Sequence, residues 1–213
     1  MAGICVRLGF WQLARREQRQ AMNERIAARI QAPPVPVATL RGDTVENRFR
    51  QVIVTGTPDY EREFALTIRG NNGSPGADII TPIRIAGSDS AVLVNRGWVY
   101  APDGMTVDFS RWREIDSTFV GYVDSFEAAP SDSVRNRGIR RMSHEAIRRA
   151  LPYPIKPFYV VAMGDTIGSA TSVVRLRPPR LGEGPHLSYA FQWFGFATIA
   201  LVGGGIVAAR SMR

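Results

Sequence analysis

The residues that could do chemistry are few, and most lie in one short stretch, Pro185-His186-Leu187-Ser188-Tyr189-Ala190-Phe191-Gln192-Trp193. On a helix, His186, Tyr189 and Trp193 fall at i, i+3 and i+7, which gives one face an imidazole and two aromatic rings. Ser188 and Gln192 form an adjacent polar pair at i, i+4. Two readings fit this face. It is an interfacial belt, in which amphipathic rings sit at headgroup level. Or it is a site for a large, flat, partly apolar ligand whose metal takes imidazole, a description that haem fits. Elsewhere the chemistry is thin. Cys5 is the only cysteine, so an intramolecular disulfide and a CxxC redox or zinc site are excluded. His144-Glu145 opens a zincin-like pattern, but Arg148 stands where the second histidine is needed, and His144 reads as an exposed first-turn residue. There is no GxSxG, no P-loop and no GxGxxG before a helix, and the six methionines are scattered rather than clustered for copper. The chain therefore reads as a non-enzyme.

The elements that hold these residues are unlike one another. From Leu187 to Ala209 there are 23 positions without a charge. As a helix this run extends about 35 Å, enough for a hydrocarbon core about 30 Å thick. Arg180 and Glu183 precede it, Arg210 and Arg213 follow it, and Pro185 suits its first turn. Residues 185–209 are expected to form a transmembrane helix. Within it Ala200, Gly204 and Ala208 make a small-residue stripe that either serves a partner helix or reflects the common use of Gly and Ala in membranes. At the other end, residues 1–14 are mostly apolar but too short to span, and read as the exit end of a first membrane helix that is incomplete here. A charged juxtamembrane helix, residues 15–31, continues until Ala32-Pro33-Pro34-Val35-Pro36 stops it.

Residues 32–180 carry a β-rich pattern. Strands are expected at Phe49–Thr57, Glu63–Arg69, Ile79–Ile85, Ala91–Val99, Thr118–Val123 and Phe158–Ala162, with Val173–Leu176 leading back to the membrane. Asn71–Gly76 reads as a loop, Pro82 marks an edge or bulge, and Ser143 caps a short helix ending near Leu151. The fold class is thus α+β: an antiparallel, strand-rich extracytoplasmic domain between two transmembrane helices. The net charge of +8, from 27 Lys+Arg against 19 Asp+Glu, is almost all arginine, since Lys156 is the one lysine. These charges are dispersed and lack a readable motif, so nucleic acid is not an expected partner.

Five segments in chain order resemble one family. Leu8-Gly9-Phe10-Trp11-Gln12-Leu13-Ala14-Arg15 resembles the LGxWQLxR element at which the first membrane helix of Surfeit-locus-one (Surf1/Shy1) proteins emerges. Val52-Ile53-Val54-Thr55-Gly56 is similar to the VxVTG strand that follows, and Gly76-Ala77-Asp78-Ile79-Ile80-Thr81-Pro82 to the G…TP element. Val92–Val99 matches the VLVNRGWV block, and His186–Ala197 resembles the start of the second membrane helix. The resemblance implies an assembly factor for cytochrome c oxidase that helps insert haem a into the catalytic subunit. It implies two membrane helices and a domain outside the bacterial inner membrane, or facing the intermembrane space if the source is mitochondrial. The implied partners are the catalytic subunit, the bilayer and the haem a synthesis machinery. On this footing His186 becomes the candidate axial ligand of a transiently held haem a, with Tyr189, Gln192 and Trp193 as pocket candidates. Asn95, Arg96 and Trp98 become partner-binding candidates. Arg96 either grips a haem propionate or partner carboxylate, or belongs to a strand end that turns at Gly97 with Trp98 packed. The alternative function is a membrane-tethered scaffold that binds immature oxidase subunits without haem.

Overall fold

The computed structural model describes residues 1–40, 44–115, 117–128, 133–164 and 173–212. Arg213, expected in the tail, lies outside them. The chain divides into two compact units, residues 1–28 with 180–213, and residues 29–179.

In the first unit, α1 (Ala2–Gln31) runs from the apolar start into the charged stretch as one helix of 30 residues, whose last turn belongs to the second unit. Its counterpart is the apolar helix at the other end of the chain, His186–Ser211, numbered α4 below. This helix is 26 residues, about 39 Å of rise, and is the one helix among the described residues long and apolar enough to cross a membrane. Its outward side chains are large and apolar: Phe191 is 68% exposed and Ile199 70%, as befits a lipid-facing surface. Gly9, Cys5, Ala190 and Ala197 are buried where the two helices meet. Phe10 meets the Phe194 ring edge-on at 5.4 Å, and Gly9 lies so close to that ring that a Cβ would stand 2.4 Å from it. The buried small residues of α4 are thus Ala190 and Ala197, whereas in the expected stripe Ala200 is half-buried and Gly204 and Ala208 are exposed.

The second unit follows in chain order: β1 (Val35–Pro36), α2 (Thr44–Asn47), β2 (Gln51–Thr55), β3 (Thr57–Pro58), β4 (Phe64–Asn71), β5 (Ser74–Arg84), β6 (Ala91–Tyr100), β7 (Thr118–Ser125), β8 (Gly138–Ile139), α3 (His144–Ala150) and β9 (Ile155–Ala162). Among the described residues nine strands form one sheet in the order β1-β2-β7-β9-β6-β5-β4-β8, with β3 beside β5. The expectation of an antiparallel sheet is corrected: β1/β2, β4/β8 and β6/β9 are parallel, so the sheet is mixed. A parallel neighbour requires a crossover, and here β7, β8 and α3 lie between β6 and β9 in the chain. Hydrophobic alternation reports which face a residue takes but carries no sign of strand direction.

The two central strands show why the region reads so strongly as β. Val92 and Val94 of β6 enter one cluster with Val52, Val54, Phe119 and Val160. Ala91 and Leu93, on the other face, join Ile80, Met142, Ile147 and Leu151 beneath α3. A strand covered on both faces loses the polar half of its alternation. Each fully buried Ile, Leu or Val here contributes about 1.5–3 kcal/mol relative to exposure. Ser143 caps α3 as expected, its hydroxyl accepting from Ala146 N at 3.4 Å. His144 departs from expectation: its Nε2 is buried and its ring meets Phe126 edge-on at 5.0 Å, so it packs rather than projecting into water. The segment expected as a loop is a tight hairpin, with Asn71 opposite Ser74 and both Asn72 and Gly73 at positive φ, the turn that matches strand twist. Val173–Leu176 contributes a single bridge, Val174 to Trp98.

Candidate functional site

Two places in the chain concentrate polar chemistry, one in each unit. In the second unit it is the end of β6. Ile79 pairs with Gly97 and Ile80 with Asn95, so Arg96 is the extra residue of a β-bulge. The bulge turns Arg96 into the protein, where it is 0% exposed. Its Nη2 donates to Glu63 Oε1 at 2.6 Å, its Nε to Thr81 Oγ1 at 2.7 Å, and its Nη1 to Trp112 O at 2.6 Å and Glu114 Oε2 at 3.1 Å. Arg175 completes the network, donating to Glu114 Oε1 at 2.6 Å and to the carbonyl of Arg96. Burial pushes the Glu63 carboxyl up against the pull of Arg96, and Glu63 Oε2 has no partner.

Asn95 is 3% exposed and donates to Asp78 Oδ2 at 3.1 Å, while its Oδ1 accepts from Gly97 N at 3.0 Å. Burial raises the Asp78 carboxyl too. Trp98 is 8% exposed and donates from Nε1 to Arg69 O at 3.0 Å. All three partner-binding candidates thus point into the domain. Arg96 meets carboxylates of its own chain, and its role here is to tie β6 to β5, to Glu63 just before β4 and to the Phe109–Trp112 turn. The strand does not end at Gly97; it runs through to Tyr100.

In the first unit, His186 opens α4 directly after Pro185. Its Nδ1 lies 2.8 Å from Gln12 Oε1 of α1. An amide oxygen only accepts, so Nδ1 is the donor, and in the neutral ring the lone pair belongs to Nε2. Nε2 looks toward Gly184, which has φ +71°, and a Cβ on that residue would stand 3.5 Å from Nε2. Glycine there permits the turn and puts no side chain against the imidazole edge. Beside the ring is a cleft of about 640 Å³, lined by Arg15, Gln18, Arg19, Met22, Arg180 and His186. That volume falls in the range of small-molecule sites, about 300–1,000 Å³. The acid at its rim, Glu183, is engaged: Gln20 and Arg16 hydrogen-bond it at 2.9 and 3.0 Å and hold its carboxyl below the usual range.

Of the four candidates on α4, only His186 lines this cleft. Tyr189 is 46% exposed and Gln192 is exposed. Trp193 is half-buried against Phe196, with ring centroids 5.9 Å apart. Ser188 donates to Pro185 O at 2.8 Å and so caps the turn.

The SURF1 family model matches residues 1–198. The chain belongs to the SURF1 family. A SURF1-like protein of Rickettsia felis is 24% identical over 206 residues, covering 93% of this chain and 89% of the relative. An uncharacterized SURF1-like protein of Mycobacterium tuberculosis is 25% identical over 218 residues, covering 95% of this chain and 77% of the relative. A SURF1-like protein of Monosiga brevicollis is 30% identical over 102 residues, 43% of this chain. SURF1 proteins are membrane-associated and known as oxidase assembly factors rather than enzymes. Seen in that family, the Gln12–His186 contact joins the first and last of the five resembling segments across 174 positions of sequence. Three cleft residues carried no sequence signal as site residues: Gln18, Arg19 and Arg180 are ordinary polar residues until α1 and the segment before α4 come together. Arg15 stood at the end of a recognised segment, which was the one clue to this side of the cleft.

Proposed function

We propose that this SURF1 protein is a membrane-anchored assembly factor that holds haem a transiently at His186 and delivers it to the catalytic subunit of cytochrome c oxidase. In this reading α4 crosses the bacterial inner membrane and the strand-rich domain lies on its outer side. The observation that carries it is the His186–Gln12 pair at the edge of an arginine-lined cleft.

The residues present fit the group. An imidazole whose Nδ1 is tied to a neighbouring amide presents Nε2 as its ligating nitrogen, an arrangement common among metal-binding histidines. Gly184 places no side chain beside that nitrogen, and Met22 gives the cleft an apolar patch. Haem, when bound, supplies the iron that accepts an imidazole nitrogen. Gln12 fixes the ring plane and the tautomer, and the location at the mouth of α4 keeps an apolar macrocycle close to lipid. A single protein ligand and an open cleft suit custody followed by release.

The scaffold reading, in which the protein binds oxidase subunits without haem, drew on the strand-rich domain and on the Asn95–Trp98 block; since Asn95, Arg96 and Trp98 are buried, it would have to use other residues of the domain surface. The test is the oxidase itself. Cells carrying His186→Ala at wild-type protein level should accumulate catalytic subunit deficient in haem a, measured in purified oxidase. Full haem occupancy in that strain would refute the proposal.

A further inference from the structure

The cleft beside His186 carries an excess of positive charge that ligation through an imidazole does not use. Arg15 donates to the neutral Gln18 at 2.9 Å, Arg19 to the carbonyl of Gly182 at 3.3 Å, and Arg180 completes the rim. Among the described residues none of these three guanidiniums forms an ion pair, whereas the neighbouring Arg16 is matched by Glu183. All three are exposed. Three unmatched guanidiniums around one cleft repel one another, and the arrangement is relieved by an anion of more than one charge.

We propose that Arg15, Arg19 and Arg180 form a carboxylate clamp that selects a macrocycle with two free acid side arms. The inference rests on the haem reading of the same cleft and adds a recognition rule to it. His186 engages the centre of the ligand from the α4 side, while the guanidiniums take its ionised carboxylates at the aqueous edge. Planar guanidinium matches carboxylate geometry with paired N–H donors, so the clamp sets orientation as well as affinity. The chain would then reject a ring whose acids are esterified even though its metal and apolar surface are unchanged. Exposed pairs are individually weak and screened by salt, so selectivity depends on the three acting together at low ionic strength.

The test uses the full chain in lipid nanodiscs of zwitterionic phospholipid, titrated with iron protoporphyrin IX and with its dimethyl ester. The clamp predicts that the free acid binds roughly tenfold more tightly than the ester. Added salt should shrink this preference, and the pair Arg15→Gln with Arg180→Gln should abolish it. Arg25→Gln, an exposed arginine of α1 outside the cleft, should leave it intact. The clamp variant should keep the His186-dependent absorption band. If acid and ester bind equally while that band still disappears in His186→Ala, the clamp is wrong and the haem reading stands. If neither compound binds, both fail. If the clamp variant loses affinity for anionic phospholipid vesicles yet keeps the preference for acid over ester, the guanidiniums serve headgroups and the proposal falls.

Discussion

Arg96 and Glu63 are each 0% exposed and 2.6 Å apart, and an ion pair so placed is costly to break from one side. Removing one partner leaves a buried charge without compensation, at a cost of about 3–5 kcal/mol. Arg96→Met is therefore expected to lower domain stability by about that amount, read by urea denaturation of the full chain through Trp98 and Trp112 fluorescence. Asp78 adds a pH dependence. Burial raises its carboxyl above the ordinary 3.8, so the folded chain keeps this proton to higher pH than the unfolded chain does. The unfolded state then binds fewer protons, and this group's contribution to stability falls as pH rises from about 4 through the raised value. Asp78→Asn should flatten that part of the stability–pH profile; an unchanged slope would show that Asp78 titrates normally. Asp103 runs the other way. Hydrogen bonds from Thr106 and Met105 lower it to about 2, so its small contribution appears above 3.8 and is lost as pH falls toward 2. At this scale the sequence is least informative. The Asn95–Trp98 block stands out by its residue types, but the partner Glu63 lies 33 positions earlier, and only the bulge makes the two meet.

Among elements, β6 shows how a single backbone position locks a motif. Gly97 has φ +129°, and a Cβ there would stand 2.3 Å from the carbonyl of Val174. That carbonyl accepts from Trp98 N at 2.8 Å, and Val174 N donates back to Trp98 O at 2.9 Å. Gly97→Ala is expected to break this bridge, releasing the segment around Val174. Amide exchange at Trp98 and Val174 should speed by at least tenfold, while that of Val92 and Val94 in the buried centre of β6 stays slow. Equal protection in variant and wild type would contradict the steric account. The strands themselves are legible because Val and Ile runs mark a buried pleated surface. Their direction is not, because β6 and β9 are paired by a crossover rather than by a turn. The hairpin at Asn72-Gly73 reads from sequence only as a loop: a segment rich in Asn, Gly and Ser shows no hairpin until its two flanking strands are seen in register. On α4, composition identified the span correctly as apolar but could not say which small residues meet α1.

The molecule as a whole combines an apolar helix, a helix that turns from apolar to charged, and a strand-rich domain. The charge of +8 resolves in part into a local excess: three arginines gather on the cleft at the mouth of α4. Family membership was legible because five segments occur in order along the chain, but the cleft was not, since its two sides lie about 160 residues apart. Gln12 and His186 make the link, and they also scale the expectation for the site. Removing an outer-shell partner of a ligating histidine costs about 10–100-fold in affinity. Gln12→Leu should therefore weaken iron protoporphyrin binding by about that factor, with Gln12→Glu recovering part of it, since a carboxylate oxygen also accepts from Nδ1. Loss of binding to the same extent in both variants would remove Gln12 from the site. The central claim, custody of haem a at His186, is tested most directly by purifying the full chain from membranes of cells that synthesise haem a and recording its absorption spectrum beside that of His186→Ala. A haem a spectrum is expected in the wild type and is lost or shifted in the variant. A wild-type protein free of haem, or a variant with the same haem content and spectrum, would contradict it.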